Sequence, residues 1–131
     1  MDFSKVYTDD VDYVIVKLHP RAIIVAASII AEIADPFTGL IIDKDEVTLI
    51  IPQEMVEEFE ARLKDAQIGS IVYRLITLDI IFDLDVVGIM AQLSRKLADA
   101  NIPIMAFSSF SRDHLLVPQE HINKAIEVLK Q

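Results

Sequence analysis

A chain of 131 residues, 53% of them hydrophobic, suits one compact domain or two very small ones sharing a core, and carries too much apolar side chain to stay disordered. Against 12 basic residues stand 21 acidic ones, a formal charge of −9 with no run rich in Lys or Arg, so neither nucleic acid nor an anionic membrane surface is an expected partner. The absence of cysteine removes disulfides, zinc knuckles and thiol chemistry together, and fits a reducing cytoplasm.

The N-terminal Met1-Asp2-Phe3-Ser4-Lys5 lacks a basic region followed by an apolar core, so no secretory signal is expected. After this polar start, Tyr13-Val14-Ile15-Val16-Lys17-Leu18 is rich in β-branched and aromatic residues and reads as a strand. His19-Pro20 ends it, because the residue before proline is pushed out of the α region and proline suits a first helical turn. Arg21 to Ala34 then reads as a helix that is apolar nearly all round, with only Ser28 and Glu32 in its middle. It is too short for the ~20 residues of a bilayer span. Such a helix needs cover on most sides, from a second domain or a second subunit.

Gly39-Leu40-Ile41-Ile42 and Val47-Thr48-Leu49-Ile50-Ile51 flank the polar turn Asp43-Lys44-Asp45-Glu46 as a β-hairpin. Pro52-Gln53-Glu54 opens a helix whose Met55, Val56, Phe59, Leu63 and Ala66 recur at helical spacing, ending near Gly69. The segment Ile71 to Ile81 is long for one strand. A third helix puts Val86, Ile89, Met90, Leu93 and Leu97 on one face, with Asn101 as its C-terminal cap. Ile104-Met105-Ala106-Phe107 and Leu115-Leu116-Val117 form a second hairpin around Ser108–His114, and Pro118-Gln119-Glu120 opens a helix burying Ile122, Ala125, Ile126 and Leu129.

The order strand, helix, strand, strand, helix occurs twice, and Pro-Gln-Glu recurs at 52–54 and 118–120, each time between an apolar strand and an amphipathic helix. The pattern predicts an α+β protein: a tandem duplication of ferredoxin-like βαββα units with antiparallel sheets, the first unit over 1–68 and the second over 69–131. Neither unit shows a last strand of its own, so strand exchange between them is expected.

Chemistry has few places to reside. Ser108, Ser109 and Ser111 lie near His114, but no nucleophile elbow, phosphate loop or paired metal-ligand motif surrounds them, and serines at a strand end ordinarily satisfy turn backbone. His114, His121 and Asp113 match no recurrent metal spacing, and His19 beside Pro20 is a turn residue. The residues therefore point to no catalysis, no metal and no cofactor. Gly88 in the first turn of a helix has two readings: close packing of helix on strand, or free backbone N–H groups receiving an anion such as a carboxylate. Asp113 is a hairpin-turn carboxylate or an acceptor for an ammonium, with Ser109 and Phe110 adding a hydroxyl and an apolar wall.

Phe82-Asp83-Leu84-Asp85-Val86-Val87-Gly88-Ile89-Met90, then Leu97-Ala98-Asp99-Ala100-Asn101-Ile102-Pro103-Ile104 and Phe107-Ser108-Ser109-Phe110-Ser111-Arg112-Asp113-His114-Leu115-Leu116-Val117, resembles the ACT domains of aspartokinase regulatory regions and cytosolic arginine sensors. The resemblance covers about residues 71–131, and Asp45–Pro52 resembles the companion unit more weakly. It implies tandem ACT-like units that bind an amino acid or similar small effector at an interface between units, as a homodimer, in a regulated enzyme's service. The positions that carry over are Val87 and Gly88 at the helix start and Ser109, Phe110 and Asp113 in the hairpin. Three residues depart from the family pattern: Ser109 stands for threonine, Phe110 for tyrosine, and His114 for tyrosine or phenylalanine. The first unit has Pro20-Arg21-Ala22-Ile23 where the glycine would be, so one type of site per chain is expected, with the first unit supplying a wall. Two rivals remain: an interaction module with a vestigial site, and a small enzyme using Ser108–His114.

Overall fold

The computed structural model describes residues 3–33, 37–80, 83 and 85–131. Its first half contains strand β1 (Val6–Tyr7), strand β2 (Tyr13–Leu18), helix α1 (Ile23–Glu32), strands β3 (Gly39–Ile42) and β4 (Val47–Pro52), the single turn α2 (Met55–Glu58) and strand β5 (Gln67–Ile68). Its second half contains strand β6 (Tyr73–Leu78), helix α3 (Ile89–Asp99), strands β7 (Met105–Ser108) and β8 (Asp113–Pro118), and helix α4 (Ile122–Leu129) behind a short 3-10 turn. Two compact units result: Val11–Val72, and Met1–Asp10 together with Tyr73–Gln131.

Within Val11–Val72 the antiparallel order is β5-β2-β4-β3, with β2 and β4 registered from Tyr13↔Pro52 to Leu18↔Val47. Alternation along each strand sends Val14, Val16 and Leu18, and Val47, Leu49 and Ile51, to one face, where Ala26, Ile29 and Ile33 from the α1 segment and Phe59 and Leu63 cover them. Burying an Ile or Leu side chain as completely as Ile29 or Leu49 contributes about 1.5–3 kcal/mol. The outer side of α1 stays in solvent: Ile24 is 84% exposed, and Ile23, Val25, Ala27 and Ala31 are exposed beside it.

The other unit has the corresponding order β1-β6-β8-β7. Ile76 and Leu78 of β6 and Leu115 and Val117 of β8 face Leu93 and Leu97 of α3 and Ala125, Val128 and Leu129 of α4, with Phe3 in the same core. β1 registers as Val6↔Leu78 and Tyr7↔Thr77, and the Thr8 hydroxyl donates to the Leu75 carbonyl at 2.6 Å. The polar start expected ahead of β2 thus contains a strand, and it fills the place beside β6 that β5 fills beside β2. At the end of α3, Asn101 adopts φ 60°, its N–H bonds to Ala98 O at 2.9 Å, and Ile102 N–H bonds to Leu97 O at 3.0 Å. This is a Schellman cap with asparagine in the left-handed position, in agreement with the cap expected there.

The mixed α+β architecture with antiparallel βαββα-like units agrees with the expectation, and several boundaries differ. The helix expected from Pro52 to near Gly69 is α-helical only over Met55–Glu58. Beyond it, bonds of both three- and four-residue spacing alternate, as in Arg62 N–H to Phe59 O and Leu63 N–H to Phe59 O. Phe59 and Leu63 still bury, so the apolar spacing located the face while the backbone wound irregularly. Gly69 ends no helix; its N–H bonds to Ile15 O at 2.8 Å, and a Cβ there would stand 2.9 Å from that oxygen. The long strand is Tyr73–Leu78, Val86 precedes α3, and the end of the first helix expected at Ala34, with Ile81, Phe82 and Leu84, lies outside the described residues.

Candidate functional site

The β7–β8 hairpin closes through Ser109 N–H to Arg112 O at 2.9 Å, and Ser108 pairs with Asp113. Asp113 shares its side of the strand with core-facing Leu115, so its carboxylate lies on the helix-covered face, where Ser108 Oγ donates to Asp113 Oδ1 at 2.7 Å. His114 lies on the opposite face. Its Nδ1 meets Thr77 Oγ1 at 2.8 Å and its Nε2 meets Ser109 Oγ at 3.0 Å. Burial pushes the His114 pKa below its ordinary value, with Asp113 opposing that shift and Arg112 adding to it. Arg112 is itself directed to Asp79, Nε to Oδ1 at 3.7 Å.

Across from the hairpin, α3 begins at Gly88, which caps the helix at φ 90° and ψ 6° without a side-chain bond to the first turn. A Cβ at Gly88 would meet nothing within 4 Å, so close helix-strand packing does not explain this glycine. The left-handed backbone does, since L side chains there cost ~1–2 kcal/mol. Gln92 N–H bonds to Gly88 O at 3.1 Å, which starts the helical ladder and leaves the N–H groups of the first turn, ahead of Gln92, without an intrahelical acceptor.

Hairpin and helix start border one open cleft of about 320 Å³ lined by Asp83, Val86, Gly88, Ile89, Met90 and the whole segment Ser108–Asp113. Of the residues singled out in the sequence, Gly88, Ser109, Phe110 and Asp113 lie on this lining. Val87 does not: it is 89% exposed, and its neighbour Val86 lines the cleft instead. Phe110 sits at the rim, 87% exposed. Thr77, missed in the sequence, is the buried polar side chain of this unit's sheet among the described residues, at 9% exposure, and its signal was a hydroxyl within the otherwise apolar run Leu75–Leu78.

The lining offers three kinds of contact. Backbone donors and a helix N-terminus favour an anionic group, Asp113 and Asp83 favour a cationic one, and Val86, Ile89 and Met90 offer apolar contact. The volume falls at the small end of the ~300–1,000 Å³ usual for small-molecule pockets. Ser109 and His114 do meet, yet His114 is outside the lining and its other nitrogen is engaged by Thr77. His121 lies 3.5 Å from Glu120 and does not join His114 and Asp113, and among the described residues no three His, Asp or Glu side chains converge as metal ligands. Among those same residues no helix is long and apolar enough to cross a membrane.

Residues 70–131 match the family model of the ACT domain. The fold of nearly the whole chain is similar to that of a protein of unknown function from Vibrio cholerae, described as a possible transport protein, at TM-score 0.80 and 23% identity over 99% of this chain and 89% of that one. It is similar also to the regulatory subunit of aspartate kinase from Thermus flavus, at TM-score 0.72 and 13% identity over 98% and 97% of the two chains. Clostridium acetobutylicum aspartate kinase is matched at TM-score 0.73 and 14% identity, over 95% of this chain and 33% of that enzyme. At these identities the likeness establishes fold.

Proposed function

We propose that this chain, whose residues 70–131 match the ACT domain, is a non-catalytic regulatory protein whose cleft binds a free amino acid. The observation that carries the reading is the facing of two complementary arms, the N-terminus of α3 at Gly88 and the Asp113 carboxylate, across a cleft of amino-acid size. The ligand carboxylate lies on the helix-start N–H groups, its ammonium meets Asp113, and its side chain meets Val86, Ile89, Met90 and Phe110. The protein acts in the cytoplasm as a homodimer and passes its ligand state to a regulated enzyme. Calorimetric titration with the twenty common L-amino acids tests this; absence of heat and of any thermal shift at millimolar concentration with all of them rejects it.

A second reading is favoured by the exposed face of α1. Ile24, Ala27 and Ala31 recur along one stripe of that helix, and an interaction module would use them to dock a protein while the cleft stays idle. Sedimentation of wild type and Ile24→Asp separates the two: an assembly lost in the variant, together with no response to amino acids, supports docking over sensing.

A further inference from the structure

Two copies of a chain with formal charge −9 repel over most of their surface, so a face on which they meet must be neutral or carry opposite charges in matching places. The outer side of α1 meets both conditions. From Ala22 to Ala31 it carries no charged residue, and Ile23, Ile24 and Val25 are all exposed on it. Ile42 of β3, also exposed, extends the patch, since it stands opposite Val47 on the side of the sheet that α1 helps to cover. Opposite charges border the helix at its two ends, exposed Arg21 just before its start and exposed Glu32 in its last turn. We propose that the occupant of this face is a second copy of the chain, its α1 packed antiparallel across a twofold axis beside Ala27, with Arg21 of each protomer paired to the partner's Glu32.

The inference rests on the homodimer of the proposed function and names its interface. The charges set its direction. A parallel pair would bring Arg21 to Arg21 and Glu32 to Glu32, whereas the antiparallel pair joins opposite charges at both ends and opposes the two helix dipoles. Exposed Ala27, midway between those ends, lets the two axes approach to about 8–10 Å, and Ile24 then fits between the partner's Ala27 and the partner's Ala31 as a knob into a hole. Arg62 holds Glu32 through Oε2 within its own chain, and the carboxylate has a second oxygen with which to accept the partner's guanidinium. A foreign protein would need the same two charges at the same spacing in reverse order; a second copy supplies them itself.

Sedimentation over a range of concentrations tests this on the full chain. The wild type should be a dimer and Ile24→Asp a monomer with its fold intact, because Ile24 is 84% exposed. Arg21→Glu alone and Glu32→Arg alone should each dissociate about tenfold more readily, and an equimolar mixture of the two should pair as tightly as the wild type, since one chain of each kind restores opposite charges at both ends. The chain has no cysteine, so mild oxidation should link Ala27→Cys into a covalent dimer and leave Ala98→Cys, on the exposed side of α3, unlinked. A mixture no tighter than its components overturns the proposal, as does an Ile24→Asp protein that stays dimeric, or linkage at Ala27 no greater than at Ala98. A wild type that is monomeric throughout overturns the homodimer as well, while calorimetry with the common L-amino acids still decides the cleft by itself.

Discussion

The two hairpins β3–β4 and β7–β8 share a backbone and differ in almost every side chain that faces the turn. Asp43 N–H bonds to Glu46 O at 3.2 Å where Ser109 N–H bonds to Arg112 O at 2.9 Å, and the pair Ile42↔Val47 occupies the register of Ser108↔Asp113. In the first, Val47 is fully buried; in the second, a carboxylate and a hydroxyl open onto a cleft. The helix starts differ in the same sense, since α1 is capped by Ala22 at φ −83° and α3 by Gly88 at φ 90°. One fold therefore hosts a closed corner and an open one, and four positions (a pair in the hairpin, a turn serine and a cap glycine) suffice to distinguish them.

The sharpest way to break the comparison is to exchange those positions. Val47→Asp places an unpaired carboxylate in a sealed core and should cost roughly 3–5 kcal/mol, seen as a collapse of the urea midpoint. The reciprocal Asp113→Val should leave the fold intact and abolish amino-acid binding, with affinity falling about a hundredfold or more by calorimetry. Gly88→Ala forces an L side chain into left-handed backbone with free space around it, so the loss should be the conformational ~1–2 kcal/mol and no steric surplus. Ala22→Gly, its counterpart, should shift the melting temperature far less.

The smallest effect is one of pH. Because burial holds the folded His114 below its ordinary 6.5, the unfolded chain takes up that proton first as the solution is acidified. His114 should thus contribute fully above 6.5, and stability should decline as pH falls from there through the lower folded value, then level off. A melting-temperature profile of wild type against His114→Gln should show this slope in the first protein alone. Glu32, bonded to Arg62, and Asp43, bonded to the amides of Asp45 and Glu46, have pKa values lowered instead. Their contributions disappear only at lower pH, as each falls through its own depressed carboxylate value.

The element order, the antiparallel pairing and the asparagine cap were legible because periodicity and turn chemistry are local properties. β1 was not: Val6 and Tyr7 gain strand structure only from Leu78 and Thr77, far along the chain, and a two-residue strand has no period to read. The Pro-Gln-Glu pair proved to mark strand ends, with Pro52 opposite Tyr13 and Pro118 opposite Tyr73, more than helix starts. At the cleft, the sequence singled out Val87, Gly88, Ser109, Phe110 and Asp113 and left Gly88 with two readings, of which the open space around it excludes close helix-strand packing. Thr77 escaped notice because its partner, His114, adjoins it across two strands, a juxtaposition that no spacing along the chain encodes.

The position of β1 also bears on how the protein is made. Residues 3–8 leave the ribosome ahead of Val11–Val72, yet the Leu75 carbonyl that receives the Thr8 hydroxyl lies 67 residues downstream, after all of Val11–Val72 has been synthesised. Val11–Val72 can close while Phe3 and Val6 still wait for their core, and the final unit must gather both flanks of the finished one, a long loop closure that folds slowly. No single proteolytic cut can therefore release two intact halves: cleavage near residue 72 would strand β1 on the wrong fragment, and the C-terminal fragment would refold only when the N-terminal one is returned to it.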